Sequence, residues 1–181
     1  MLFRSKKPAG EELEHDYLWR VHKACPRRGE IGVFNRSHYE DVLVVRVHEL
    51  VHGKRLERRY DTINGFERML TDEATHVVKF FLWISQDEQK KRLQERLADP
   101  EKNWKFSEAD LKERALWKEY IEAFNIALGR CSTEHAPWWI VPANRKWFRD
   151  WMVARVLRRT LEDFKMEWPR TTLDLTKVKV K

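Results

Sequence analysis

HVVKFFLWI, residues 76–84, runs directly into Ser85-Gln86-Asp87-Glu88. Aromatic and aliphatic residues fall on both sides of this run, which reads as a strand in a covered sheet rather than a one-faced strand with strict alternation. Ser85 is an N-cap residue, and Glu88 three places on makes a capping-box pattern, so a helix should start where the strand stops. That helix reaches about residue 98, where Asp99-Pro100 breaks it, because the residue before a proline is pushed out of the helical region. A strand that feeds a capped helix is the unit of an α/β protein.

Working outward from this unit gives further alternation. Ser107 is a second N-cap, with Asp110 three residues later, and its helix continues to about residue 128 with Gly129 past its end. WWIV at 138–141, between Pro137 and Pro142, is a short strand. Trp147, Trp151, Ala154, Val156, Leu157 and Leu161 give a long amphipathic helix over 146–164. On the other side, Leu13, Tyr17, Leu18, Val21 and Cys25 predict a helix over 11–25, closed by Pro26. EIGVF at 30–34 is a buried strand by composition. Helices follow over 39–51 and 55–70, the second containing Gly65 at a cost of about 1 kcal/mol relative to alanine. The expectation is a parallel sheet flanked by helices, one domain over 1–168, with a basic tail at 169–181.

With 181 residues, 36% charged and 42% apolar, the chain suits one globular domain. A net charge of +7 favours polyanionic partners, although a merely basic surface gives the same number. Most of the nine tryptophans fall in apolar patterns, as core or interface groups do. Cys25 and Cys131 lack metal-type spacing and read as free thiols of a reducing compartment. Neither a membrane-length apolar run nor a secretory leader is evident, so a cytoplasmic location is expected, and no nucleic-acid module is recognisable.

Two segments carry chemistry. Asn35-Arg36-Ser37 follows the strand at 30–34, at the carboxy end where open parallel sheets bind ligands. Arg36 could stabilise charge on a transferring phosphoryl group and Asn35 hold a metal-bound water; a polar turn capping the next helix is the alternative. Residues 90–110 carry Lys90, Lys91, Arg92, Arg96, Lys102 and Lys105 around the Asp99-Pro100 break and Trp104-Lys105-Phe106. Such a segment can act as a mobile cationic lid that excludes water, or it is a solvated face laced with pairs such as Lys91 with Glu95. A third segment, HELVH at 48–52, matches the zinc-protease pattern: His48 and His52 as ligands on one helix face and Glu49 as base. Chance also meets so short a pattern, and no third ligand is evident.

EIGVFNRSHYEDVLVVRV, then FFLWISQDEQKKRLQERLADPEKNWKFSEAD, then APWWIVPANRKWFRDWMVARVL, in this order, resemble the family-2 polyphosphate kinases from about residue 11 to 164, with HDYLWRVH at 15–22 as the preceding helix. The resemblance implies a phosphate-loop kinase fold of the thymidylate-kinase type. It implies magnesium-dependent transfer of phosphate between inorganic polyphosphate and nucleoside mono- or diphosphates, ADP and AMP or GDP and GMP, by a homo-oligomer. On these motifs Asn35 and Arg36 fall at the Walker B position, Arg36 and Arg96 as phosphate-contacting catalytic arginines. Many members have aspartate at the position of Asn35. Glu40 lies near the nucleotide, Asp41 and Asp110 near the metal, and Lys91, Arg92, Lys102 and Lys105 serve phosphate binding.

The chain departs from the family's pattern in its first part. The first strand, the Gly-rich loop and its lysine have no counterpart, and residues 2–5 stand where the family's second strand ends. Gly53-Lys54 lacks the loop's other glycine. The expectation is an amino-terminally truncated sheet with two exposed apolar edges, and so poor solubility or obligatory assembly. Alternatives to a working phosphotransferase are a polyphosphate-binding relic, a piece of a split enzyme, and the zinc hydrolase.

Overall fold

The computed structural model describes residues 2–4 and 8–173; Ser5 and the basic tail from 174 onward lie outside them. Among the described residues four strands and seven α-helices follow one another: β1 (Leu2–Arg4), α1 (Trp19–Lys23), β2 (Val33–Asn35), α2 (Glu40–Val47), α3 (Gly53–Asp72), β3 (Lys79–Trp83), α4 (Gln86–Ala98), α5 (Glu108–Ala115), α6 (Trp117–Cys131), β4 (Trp138–Pro142) and α7 (Lys146–Asp163). The α/β class with parallel strands is as the sequence predicts.

Among the described residues the strands form two parallel pairs, β1 with β2 and β3 with β4, not one continuous sheet. The strand expected to be buried at 30–34 is only Val33–Asn35, and Val33 is 54% exposed. Leu82, Trp83, Trp139 and Ile140 of the second pair are exposed too. The continuous core lies among helices instead: Leu18 and Val21, then Tyr39, Val42 and Leu43, then Leu56, Tyr60, Ile63 and Phe66 of α3, then Ala123, Ala127 and Cys131 of α6. The small residues of α6 recur every four positions, one above another on a helix face, and let it lie close against α2 and α3.

Two expected helices are divided, and the one expected over 39–51 stops at Val47. The helix over 11–25 is interrupted, because Asp16 Oδ1 accepts hydrogen bonds from the Leu18 and Trp19 amides at 2.8 and 3.2 Å and starts α1 afresh. Only a 3-10 turn, Gly10–Leu13, remains before it. The helix from Ser107 divides at Leu116 (φ −89°, ψ 27°), giving α5 and α6. Gly129 lies inside α6, not beyond it: burial of Cys131 and the bond from Asn64 Nδ2 to Arg130 O (3.0 Å) hold the last turn helical.

Candidate functional site

Arg36 follows directly on β2 with φ 66°, a left-handed conformation that costs a non-glycine residue about 1–2 kcal/mol. Its side chain is 64% exposed, and Glu40 Oε2, in the first turn of α2, stands 3.7 Å from Nη1. Asn35 is exposed beside it. Burial pushes the Glu40 carboxyl above its usual value while Arg36 opposes the shift. Asp41 is more enclosed: burial raises its carboxyl as well, against Arg20 (3.9 Å) and Arg59 (3.6 Å) on either side. Arg59 also donates to Asp41 O at 2.8 Å and lies over the Tyr17 ring. The structure thus brings Asn35, Arg36, Glu40 and Asp41 together at the carboxy end of β2.

Behind Arg36 lies a charged node that the sequence reading missed. Glu67 of α3 is fully buried. Its Oε1 accepts from His38 Nε2 (3.0 Å) and Tyr39 OH (2.9 Å), and its Oε2 from Lys79 Nζ (2.6 Å). Lys79 further donates to Tyr39 OH at 2.8 Å and Cys131 O at 2.7 Å. Burial alone would raise the Glu67 carboxyl, but the His38 and Lys79 donors outweigh it and hold it below the usual range. Burial draws Lys79 below the ordinary lysine value against the pull of Glu67, and its three acceptors each need an ammonium proton. Burial pushes the neighbouring Cys131 thiol up to about 11. A signal was present in the sequence: Lys79 interrupts an apolar strand, and Glu67 continues the Tyr60, Ile63 face of α3, so opposite charges stood at two core positions.

The second group of expected residues lies on the α4–α5 hairpin. Ser85 Oγ caps α4 by accepting from the Glu88 amide, and Ser107 with Asp110 forms the box that starts α5. Arg96 Nη1 meets Asp110 Oδ2 at 3.2 Å. Lys102 is paired with Asp99, Lys91 stands 3.9 Å from Glu95, and Lys105 lies 4.9 Å over the Trp104 ring. Trp104, bonded through Nε1 to Glu101 O, is 73% exposed at the turn. Arg92 is more enclosed than Lys91 or Lys102. Half-buried, it donates to Ala143 O (2.7 Å) and Asn144 O (3.0 Å) and pairs with Glu88, clamping α4 to the loop after β4.

Glu113 joins the hairpin to the body of the molecule, accepting from Tyr120 OH at 2.6 Å and lying 3.0 Å from His48 Nε2. This placement overturns the zinc reading of HELVH. α2 ends at Val47, Glu49 is left-handed at φ 51°, and His52 is the extended N-cap of α3, so the two histidines do not share a helix face. Among the described residues no three His, Cys, Asp or Glu side chains gather as a metal site. Of the two carboxylates that the resemblance assigns to magnesium, Asp41 lies between two arginines and Asp110 against Arg96, and among the described residues neither belongs to a cluster of three such ligands. No helix among the described residues is long and apolar enough to cross a membrane. Two open depressions, one of about 450 Å³ beside Trp19, His22 and Phe66 and one beside Lys23 and Arg27, include none of the site residues. Asn35 and Arg36 form the exposed part of the site, and Glu40 and Asp41 its more enclosed part.

A family model described as Polyphosphate kinase 2 (PPK2) matches residues 3–169. The chain is 55% identical over 163 residues to an AMP/ADP-polyphosphate phosphotransferase of Meiothermus ruber, covering 90% of this chain and 61% of the relative. It is 45% identical over 183 residues to an ADP-polyphosphate phosphotransferase of Rhodopseudomonas palustris, covering 94% and 63%. The crystal structure of polyphosphate kinase 2 from Arthrobacter aurescens TC1 superposes with a TM-score of 0.95 at 48% identity, over 97% of this chain and 62% of that one. The chain therefore spans about three fifths of the length of these relatives.

Proposed function

The chain belongs to the polyphosphate kinase 2 family, and from that premise we propose that it serves phosphoryl transfer between inorganic polyphosphate and AMP or ADP. The observation that carries this reading is Arg36: a 64% exposed guanidinium with Glu40 at 3.7 Å, on left-handed backbone at the end of a parallel strand. Phosphoryl transfer asks the protein chiefly for positioned positive charge around the transferring oxygens, and a cation held ready there reorganises little during the reaction. In this reading residues 90–110 are a lid, Arg96 is its second catalytic cation, and exposed Lys91, Lys102 and Lys105 meet the polyphosphate chain. A phosphate arriving at Arg96 displaces Asp110. Arg92 keeps its structural place. Mg²⁺ enters the proposal as a companion of the phosphates, with no residue of this chain assigned to it. GDP and GMP as further acceptors, and assembly into a homo-oligomer, belong to the same proposal.

The test is ATP formation from ADP, polyphosphate and Mg²⁺ by the purified chain, with Arg36→Ala and Arg96→Ala in parallel. Loss of about 100-fold or more in kcat for each variant is expected, the size found when a preorganised charge-stabilising group is removed. Turnover that neither substitution reduces overturns the assignment. Salt-dependent polyphosphate binding without turnover by the folded chain would select the binding-protein reading instead.

A further inference from the structure

Glu67 and Lys79 lie outside every role considered so far, yet they grip the two residues that come soonest after Ser37. Both Glu67 oxygens are used, Oε1 on His38 and Tyr39 and Oε2 on Lys79, and Lys79 in turn fixes Tyr39 OH and the end of α6 at Cys131 O. Aromatic contacts cage the same pair: the His38 ring meets Phe66 edge-on with centroids 5.8 Å apart, and Tyr39 meets Trp138 edge-on at 4.7 Å. From Tyr39 the restraint passes backward along the chain, for the Tyr39 amide donates to Ser37 Oγ (3.4 Å) and the Glu40 amide to Ser37 O (3.1 Å). Arg36 is then held between β2, fixed by its ladder with β1, and a Ser37–Glu40 turn fixed by a buried carboxylate. A left-handed arginine needs such over-determination, because its own side chain is largely in solvent and adds little to hold the backbone.

We propose that Glu67, supported by Lys79, is the positioning residue of Arg36: through His38 and Tyr39 it sets the left-handed backbone that aims the exposed guanidinium. What Arg36 is aimed at rests on the proposed phosphoryl-transfer reading; the positioning itself does not. Removing the carboxylate's charge while keeping its shape should loosen the loop and leave the helical core folded.

The experiment is hydrogen exchange by mass spectrometry on residues 33–41 of the full chain, paired with titration by inorganic polyphosphate, for wild type, Glu67→Gln, Arg36→Ala and the double variant. Val156→Ala, a change at a buried position of α7 outside the core cluster that packs on the node, is the control, with each protein measured at the same interval below its own Tm. Glu67→Gln is expected to raise exchange in 33–41 about tenfold and to weaken polyphosphate binding as much as Arg36→Ala does, with no further loss in the double variant. Exchange unchanged in Glu67→Gln, or raised equally in Val156→Ala, overturns the proposal. If Glu67→Gln gives no folded protein, Tyr39→Phe, which keeps both charges, supplies the same readouts. Wild-type protein that binds no polyphosphate defeats the functional reading, while the exchange data still decide the positioning.

Discussion

The buried node and the hairpin use the same kinds of side chain to opposite ends. Glu67 and Lys79 sit in the core with every polar atom engaged; Arg96 and Asp110 meet at 3.2 Å with more than a third of each side chain in water. Water makes the second pair nearly as good when open as when closed, since each charge is re-solvated on separation. The first pair has no such alternative, and breaking one member leaves a charge stranded in the core. A loop held from behind by the node therefore stays put, and a hairpin held by exposed pairs can exchange partners. In the proposed phosphoryl transfer that division would be useful: the Arg36 backbone is held and Arg96 is exchangeable.

The sharpest way to break the comparison is Lys79→Met, which strands the Glu67 carboxylate and is expected to cost about 3–5 kcal/mol in urea unfolding. Adding Glu67→Leu should recover most of that loss; a single variant losing under about 1 kcal/mol would show that the node is no better than a surface pair. Tyr39→Phe removes one hydroxyl from the node and should cost about 1–3 kcal/mol, read in the same assay. Acid probes the node without mutation. Because the Glu67 carboxyl is held below its ordinary 4.5, its contribution is complete above that pH and is lost as pH falls through the folded value. Each unit of depression is worth about 1.4 kcal/mol. Acid unfolding of Glu67→Gln should lack this component, and identical acid curves for variant and wild type would contradict it.

The hairpin should respond more weakly. Ser107→Ala removes the α5 cap and is expected to cost about 1 kcal/mol, visible as faster amide exchange confined to the start of α5. Asp110→Asn, which can still accept at the cap, should change global stability by less than about 1 kcal/mol. It should also tighten polyphosphate binding by freeing Arg96. Weaker binding, seen only in Mg²⁺, would return Asp110 to the metal role that the resemblance implies.

Local chemistry made the β3–α4 junction, the Asp99-Pro100 break and the Ser107–Asp110 box legible from the sequence, because caps and prolines act within a few residues. Asn35 and Arg36 were legible from their place at a strand end, whereas Glu40 and Asp41 joined them only through the family resemblance. What depends on distant packing was not legible. Burial of Cys131 carries α6 past Gly129, and Leu116 divides a helix that periodicity draws as one. Val33 looks like a core residue and is half exposed, since strand burial is decided by what covers the strand, not by its composition. HELVH showed the spacing of a helix face, but Glu49 takes a left-handed turn through it. Lys79 and Glu67 were each odd in their own segment, and only the fold paired them.

The break at Leu116 has a mechanical consequence. α5 is eight residues long, a rod of about 12 Å at 1.5 Å per residue, joined at this one joint to α6, whose buried face is anchored against α2 and α3. A rotation of about 10° at the joint swings the far end of the rod by roughly 2 Å, close to the shift that separates a hydrogen-bonded guanidinium from a released one. The Glu113 bonds to His48 and Tyr120 lie near the pivot, where the swing is smallest, while Asp110 rides near the tip. A rotation there would thus be felt most where Asp110 meets Arg96, and it would be opposed by Arg114, which ties α5 to α4 through Gln86 O and Gln89 Oε1.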